Sequence, residues 1–463
     1  MRGYARIAGS INMKISEIIL QQGIERRFRG PRKPRLKQKS FHKRMKGLFD
    51  GEQVKEAAKN THLDHAEELV FMRGTQGIQT VVGTFAELLK SLQGSSSENA
   101  VTTKWDGKPA IFCGIDPADG KFFVGTKGVF AKTPKLNKSP QDIEQNHPDV
   151  VKNGENMSYG GLRDKLNASL KHLQTLGIQG VIQGDLLFTK EDLKTVNIKG
   201  EKHLAFTPNT ITYTVPADSD TAREMMAAEI GVVFHTSYEG ETLQDMSAKF
   251  GFDASGLRKN PKVWFTDARI KNVSNQVQLS KEESALIAKA IKELSAMKVD
   301  ANLFQQINDK VGGVDLIQAL KTHANTPIRN GQALEKDPGK FVADFIGNLE
   351  AKFDNDISKL KTGAEGPAGQ RKLAAKSQVL NFIKQNEKAI AAMYIAYLKV
   401  EAVKMMFQRK MRDIKAIDSF IQQPDGSFKV TDPEGFVVVG QGGNALKIVD
   451  RLEFSAANFA PKG

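Results

Sequence analysis

Apolar residues recur three and four positions apart through EQVKEAAKNTHLDHAEELVFMRG and FAELLKSLQG, which predicts helices over 51–95. A polar loop, GSSSENA, ends that region, and the pattern then changes. VTTKWDGKPAIFCGID, KFFVGTKGVFAK, GVIQGDLLF, HLAFTPNTITYTVP and IGVVFHTSY are short β-rich runs separated by Gly, Asp and Pro. One helical stretch, LRDKLNASLKHLQTLG, lies among them. From about 278 to 420 the helical period returns. It ends in SQVLNFIKQNEKAIAAMYIAYLKVEAVKMMFQRKMRDI, read as one long helix whose Phe382, Ile390, Met393, Tyr394 and Leu398 are core positions. Strand character resumes in SFKV, EGFVVVG and NALKIVDRLEF. This order predicts an α+β protein in which the last strands complete the sheet begun at residue 100, with the helices looped out between. The expected divisions are 1–95, 96–275, 276–422 and 423–463. No internal repeat at solenoid periods is found.

Composition adds exclusions. The hydrophobic fraction is 40% and the charged fraction 26%, an ordinary globular mixture. With one cysteine, Cys113, neither a disulfide framework nor a cysteine zinc cluster can form within the chain. No apolar run reaches a membrane-spanning length, and MRGYARIAGSINMKISEIIL lacks the apolar centre and cleavage site of a secretory signal. The expected setting is therefore cytoplasmic. THLDH carries two histidines without a companion ligand pattern for zinc.

The charge is concentrated at one end. The chain carries +14 in all, and residues 1–50 hold 14 Lys+Arg against 3 acids, a net of +11. The arm RRFRGPRKPRLKQKSFHKRMK contributes Arg26, Arg27, Arg29, Arg32, Lys33, Arg35, Lys37, Lys39, Lys43 and Arg44 and no acid. Such a run binds a phosphate backbone through counterion release, without reading sequence, or serves as a solvated tail.

Four other places carry candidate chemistry. Lys104-Trp105-Asp106-Gly107 sets a lysine at a strand end before a tight turn. A lysine is a nucleophile only when unprotonated, a state favoured by burial or a neighbouring cation. Read alone, the pattern is equally a β-turn with a surface lysine. Asp185 follows GVIQG, Glu434 opens FVVV, and Lys447 interrupts ALKIV. A charge inside an apolar strand either faces a polar site or costs several kcal/mol of desolvation. His235, in VVFHTSY, is read as lining or flanking such a site, while Phe234 beside it is equally read as core.

Taken in order, these segments resemble the covalent nucleotidyltransferase superfamily of DNA ligases, RNA ligases and mRNA-capping enzymes, and most closely its phage-type ligase-like members. KWDG (104–107) is similar to the motif whose lysine becomes adenylylated, and VGTKG (124–128) to the next, with Lys127 on nucleic-acid phosphate. IQGDLLF, TYTVPAD, EGFVV and ALKIVD resemble the later motifs. The resemblance implies an antiparallel-sheet, ATP-grasp-like ligase core without a C-terminal OB domain. It implies Lys104 as nucleophile, and Asp106, Gly107, Lys127, Asp185, Tyr213, Phe234 and Lys447 around the nucleotide. Glu434 and Asp185 would serve Mg²⁺. The implied activity is an ATP-dependent DNA ligase acting through lysyl-AMP on nicked or single-stranded DNA or RNA ends, in the cytoplasm of a host cell if the chain is phage-encoded. RNA end repair, a GTP-using capping enzyme and a non-catalytic nucleic-acid binder with a degenerate fold are the alternatives. The chain departs from the family pattern at Pro109, where many members have Arg, and at Val449, where many have a second lysine that Arg451 could replace.

Deleting residues 1–46 should weaken DNA binding and flatten its salt dependence, measured as the slope of log affinity against log salt. An unchanged slope would show that the arm makes no phosphate contact.

Overall fold

The computed structural model describes residues 63–94, 100–152, 155–270, 277–412, 414, 418–422, 428–430, 435–439 and 445–452. The eleven basic residues of the arm and Glu434 lie outside them. The fold is α+β, and its sheets are antiparallel save for one parallel pairing.

The strands β1 (Ala100–Lys104), β2 (Ala110–Ile115) and β3 (Phe122–Gly125) open the β region. They are followed by α2 (Pro140–Asn146), the hairpin β4 (Val150–Lys152) and β5 (Glu155–Met157), and α3 (Gly160–Leu173). Then come β6 (Val181–Thr189), β7 (Lys194–Ile198), β8 (Glu201–Phe206), β9 (Thr212–Pro216) and α4 (Asp220–Ala227). β10 (Ile230–Glu239), β11 (Ser247–Phe250) and β12 (Val263–Asp267) close that region. One sheet runs β11-β10-β6-β2-β3, with β12 parallel to β10. Leu166, Leu170 and Leu173 of α3 cover its outer face, against Ile111, Cys113, Ile182, Leu186, Val232 and Phe234. Cys113 is buried in that layer, and burial raises its thiol pKa. A second sheet contains β9, β8 and β7, extended by β13 (Asp418–Gln422) and β14 (Phe428–Val430).

The third sheet joins distant parts of the chain. β15 (Gly435–Val439) pairs antiparallel with β1, and β16 (Ala445–Val449) pairs with β15. The late strands thus return to the first one, as the order of elements predicts. Alternation divides the two faces of this sheet. Val101, Phe436, Val438, Leu446 and Ile448 enter the helical core. Residues 268–270 stitch this sheet to the first: Ala268 N–H donates to the Phe234 carbonyl at 2.9 Å, and Thr103 N–H to the Ala268 carbonyl at 2.8 Å.

The helical core is shared rather than separate. It gathers α1 (Glu68–Leu92), which precedes the sheets, with α5 (Lys281–Ser295), α6 (Ala301–Asn308), α7 (Leu316–Arg329), α8 (Pro338–Ser358), α9 (Pro367–Gln385) and α10 (Glu387–Met411). Phe71 of α1 stacks on Tyr397 of α10 at 4.9 Å between centroids, and Phe85 lies 5.4 Å from Phe407. Ile390, Met393 and Tyr394 are buried as the period predicts, while Phe382 and Leu398 pack at the margin. The expected single long helix is two. Asn386 leaves helical geometry (φ −106°, ψ 13°), and its side-chain amide donates to the Phe382 carbonyl, a local bond that competes with helix continuation. Among the described residues, no helix is long and apolar enough to cross a membrane.

Charge is also buried in this core. Glu67 and Lys404 are fully buried and form an ion pair at 3.0 Å. Arg451, just past β16, reaches Glu67 at 3.1 Å and Glu68 at 3.3 Å. Its guanidinium also donates to Asn325 at 2.5 Å and to the Tyr397 hydroxyl at 3.3 Å. Lys321 pairs with Asp64 and Glu68, and Glu401 with Lys404. Burial opposes ionisation of Glu67, yet Lys404, with Arg451, holds its carboxyl well below the usual range. Burial and the nearby Glu67 push Glu401 up to about 8 against the pull of Lys404. Burial, then Arg451, lowers His65 well below its ordinary value.

His65 and Glu401 should therefore impose opposite pH dependences. Folding keeps His65 neutral, so its contribution to stability is lost as pH falls below 6.5. Folding keeps Glu401 protonated, so its contribution is lost as pH rises from 4.5 through about 8. Thermal unfolding between pH 5 and 8 should show Glu401→Gln losing stability toward acid relative to wild type, and His65→Gln losing it toward base. Each slope is bounded by about 1.4 kcal/mol per pH unit for one proton. Parallel curves for wild type and both variants would contradict these directions.

Candidate active site

Strand register places two lysines on one surface. Lys104 lies opposite Gly435, which lies opposite Val449, while Thr102, Val437 and Lys447 form the next row with side chains on that face. Lys104 and Lys447 thus share the face turned away from the helical core, two strands apart and offset by two residues. Strand spacing and rise put their Cα atoms on the order of 12 Å apart, close enough for two extended side chains to meet a ligand between them. Both are half-buried. The strand explains why a charge interrupts ALKIV: Leu446 and Ile448 face the helices, and Lys447 faces the other way. Glu434 lies outside the described residues, but the next residue, Gly435, is the partner of Lys104. Along the far edge of β16, the Lys447 backbone bridges His65.

The segment after Lys104 is bound to the first sheet. Lys108 N–H donates to the Leu186 carbonyl and Leu186 N–H to the Pro109 carbonyl, each at 3.0 Å. Gly107 is required by this approach, because a Cβ there would fall inside the contact distance of Asp185 Cβ and crowd the Leu186 carbonyl. Asp106 is buried, and its carboxylate accepts from Asn209 Nδ2 at 2.8 Å, Thr210 N at 2.7 Å and Ile211 N at 3.0 Å. It clamps the turn before β9. Tyr213 accepts a bond from Asp106 N–H at 2.7 Å, and its buried ring sits 5.0 Å from Trp105 and 5.6 Å from Phe206. Trp105, Val233, Ala268 and Val449 belong to one apolar cluster, so the Lys104 face of the third sheet and the Val233 face of the first adjoin.

Asp185 stands on that same face of the first sheet, opposite Ala110 and Val233, with its side chain 20% exposed. His235 Nε2 lies 3.7 Å from its Oδ2. Lys127 is exposed on a single helical turn, Lys127–Phe130, directly after β3. The structure does not bring Phe234 or Arg451 to this surface. Phe234 is fully buried on the opposite face, near Phe252 and Phe265. Arg451 is committed to Glu67 and Glu68 and does not replace the missing second lysine.

Sequence reasoning missed how His235 reaches Asp185. The β10–β6 register slips between Phe234 and Thr236, leaving His235 as the extra residue. Alternation alone turns His235, two residues past Val233, to the Asp185 face, and the bulge re-aims Thr236 to lie beside it. It also missed Asn209, whose only signal is its place in the turn PNT before a strand.

Two cations on one surface suit a polyphosphate, and a carboxylate beside them suits a sugar hydroxyl or a divalent cation. Among the described residues, no group of three His, Cys, Asp or Glu side chains could hold a metal alone. Mg²⁺ fits the present donor set only in the way it commonly binds, through one or two carboxylates with water and substrate phosphates.

The architecture defines an α+β protein with paired lysines and a carboxylate where two antiparallel sheets adjoin. Residues 60–462 match a family described as of unknown function, DUF6267, and the chain belongs to that family. The match leaves out the whole of the basic arm. No curated protein and no solved structure matches the chain.

Gly107→Ala should push the 105–109 segment off β6. It should cost about 1–3 kcal/mol by overpacking, measured by denaturant unfolding, whereas Gly347→Ala, on an exposed helix face with open space around its Cβ, should cost nothing. A loss at Gly107 no larger than at an exposed surface position would refute the close approach.

Proposed function

We propose that the chain is a covalent nucleotidyltransferase acting as an ATP-dependent polynucleotide ligase. One observation carries this reading: the pairing of β1, β15 and β16 sets Lys104 and Lys447 on one face, beside the sheet that carries Asp185. Lys104 Nζ attacks the α-phosphate of ATP, forming the N–P bond as the bridging P–O bond breaks. Pyrophosphate leaves with the bonding electrons, and the amine proton passes to solvent. Lys447 offsets charge developing on the phosphoryl oxygens. Mg²⁺, when bound, neutralises phosphate charge, and Asp185 and Glu434 are the residues for it. AMP then passes from Lys104 to a 5′-phosphate end. Attack by a 3′-hydroxyl expels AMP and seals the strand. Most of the protein's contribution lies in alignment and electrostatics.

DNA nicks are the proposed substrate, with RNA accepted at one end; RNA end repair is the nearest variant. The exposed Lys127 and the arm supply sequence-independent phosphate contacts. A non-catalytic nucleic-acid binder is favoured by one observation, the withdrawal of Arg451 into the Glu67–Glu68 cluster.

Incubation with α-labelled ATP and Mg²⁺ should yield an acid-precipitable protein adduct that is absent in Lys104→Ala. Lys447→Ala should slow its formation by about 10²-fold or more, the scale for loss of one transition-state charge contact. Label from GTP but not ATP would move the reading to capping chemistry. No adduct from either nucleotide would leave the non-catalytic reading.

A further inference from the structure

We propose that His235 is a positioning residue for Asp185, held in its working tautomer by Thr236. The inference rests on the nucleotidyltransferase reading and adds a residue to that site. Three observations support it. First, the bulge between Phe234 and Thr236 gives β10 one residue more than β6, and His235 is that residue. Alternation from Val233, the partner of Asp185, turns His235 to that face, and the bulge sets Thr236, opposite Gln183, on it as well. Second, the ring is held at Nδ1 and turns Nε2 toward the carboxylate. Nδ1 lies 2.7 Å from Thr236 Oγ1, and Nε2 lies 3.7 Å from Asp185 Oδ2. Thr236 is fully buried. Donation from its hydroxyl to Nδ1 leaves the ring proton on Nε2, directed at the carboxylate. Third, the backbone around the histidine is anchored. Its carbonyl accepts from Gly251 N–H at 2.9 Å and Phe252 N–H at 3.2 Å, while the adjacent Phe234 carbonyl accepts from Ala268 N–H.

The result is a chain from Thr236 through His235 to Asp185, ending beside Gly107 and the Lys104 loop. The Asp185 side chain is 20% exposed and that of His235 25%, so both border solvent where a nucleotide would enter. His235 steadies one carboxylate oxygen, which leaves the other for the ribose or the cation. A carboxylate held this way is oriented before the nucleotide arrives, and loss of such a partner commonly costs 10–100-fold in affinity or activity. Because Asp185 acts on bound nucleotide before the phosphoryl group moves, the effect belongs to nucleotide affinity.

The test measures adduct formation over a range of ATP concentrations in the full chain. His235→Ala should raise KM for ATP about 10-fold or more with kcat within about 3-fold of wild type. His235→Gln, which can place an amide N–H near the Nε2 position, should recover most of the affinity. Thr236→Val, close in shape but without the hydroxyl, should move KM in the same direction by a smaller factor. Thermal unfolding midpoints of all three should stay near wild type. Unchanged KM in His235→Ala would overturn the inference and leave the ligase reading intact. A fall in kcat that tracks a lowered unfolding midpoint, with no recovery in His235→Gln, would assign His235 a merely structural role and also overturn it. Absence of an adduct in wild type would overturn this inference and the ligase reading together.

Discussion

Two buried carboxylates, Glu67 and Glu68, must be matched by cations, and this constraint organises much of the chain. Lys404 comes from α10, Lys321 from α7 and Arg451 from the end of β16. An unmatched ion in such a core costs several kcal/mol, so these segments meet in one arrangement or leave a charge stranded. Arg451 is two residues past Val449, and its anchorage sets where β16 ends. Register then carries the effect back to Lys447. The proposed phosphate-facing lysine is therefore located by ions on the other side of its own sheet.

The same sheet separates two kinds of chemistry by alternation alone. One face of β1, β15 and β16 is apolar and completes the helical core; the other carries Thr102, Lys104 and Lys447. The helices that sequence order places as an insertion instead share a core with this sheet and with α1. They support the site from behind. Residues 268–270 then align the sheet with the one carrying Asp185.

Much of this was legible where local pattern determines structure. The helical period gives Ile390, Met393 and Tyr394 as core, and a charge within an apolar run marks Lys447 as belonging to a two-faced strand. Tight packing on Asp185 gives Gly107 its reason, which the turn pattern only hints at. Other features depend on partners far along the chain. The acceptor bonds of Asp106 come from residues 209–211. Phe234 alternates with Val233, the partner of Asp185, so it turns into the opposite core, which its neighbours in sequence do not announce. Glu67 and Glu68 look like solvated acids in a helix's first turn, and nothing adjacent in sequence announces Lys404 or Arg451. Basicity close after β16 suggests a phosphate ligand for the same reason, although the structure pairs Arg451 internally.

The pairing of β1 with β15 also bears on synthesis. More than three hundred residues must emerge from the ribosome between the first strand of the third sheet and its neighbour. Until then, one backbone edge of β1 lacks its β15 partner, and Val101 lacks the Phe436 and Val438 side of its core. A nascent chain in that state offers a sticky strand to other chains or to a chaperone. The two lysines become neighbours only in the last stage of folding, so an unfinished polypeptide lacks the surface proposed here to hold a nucleotide.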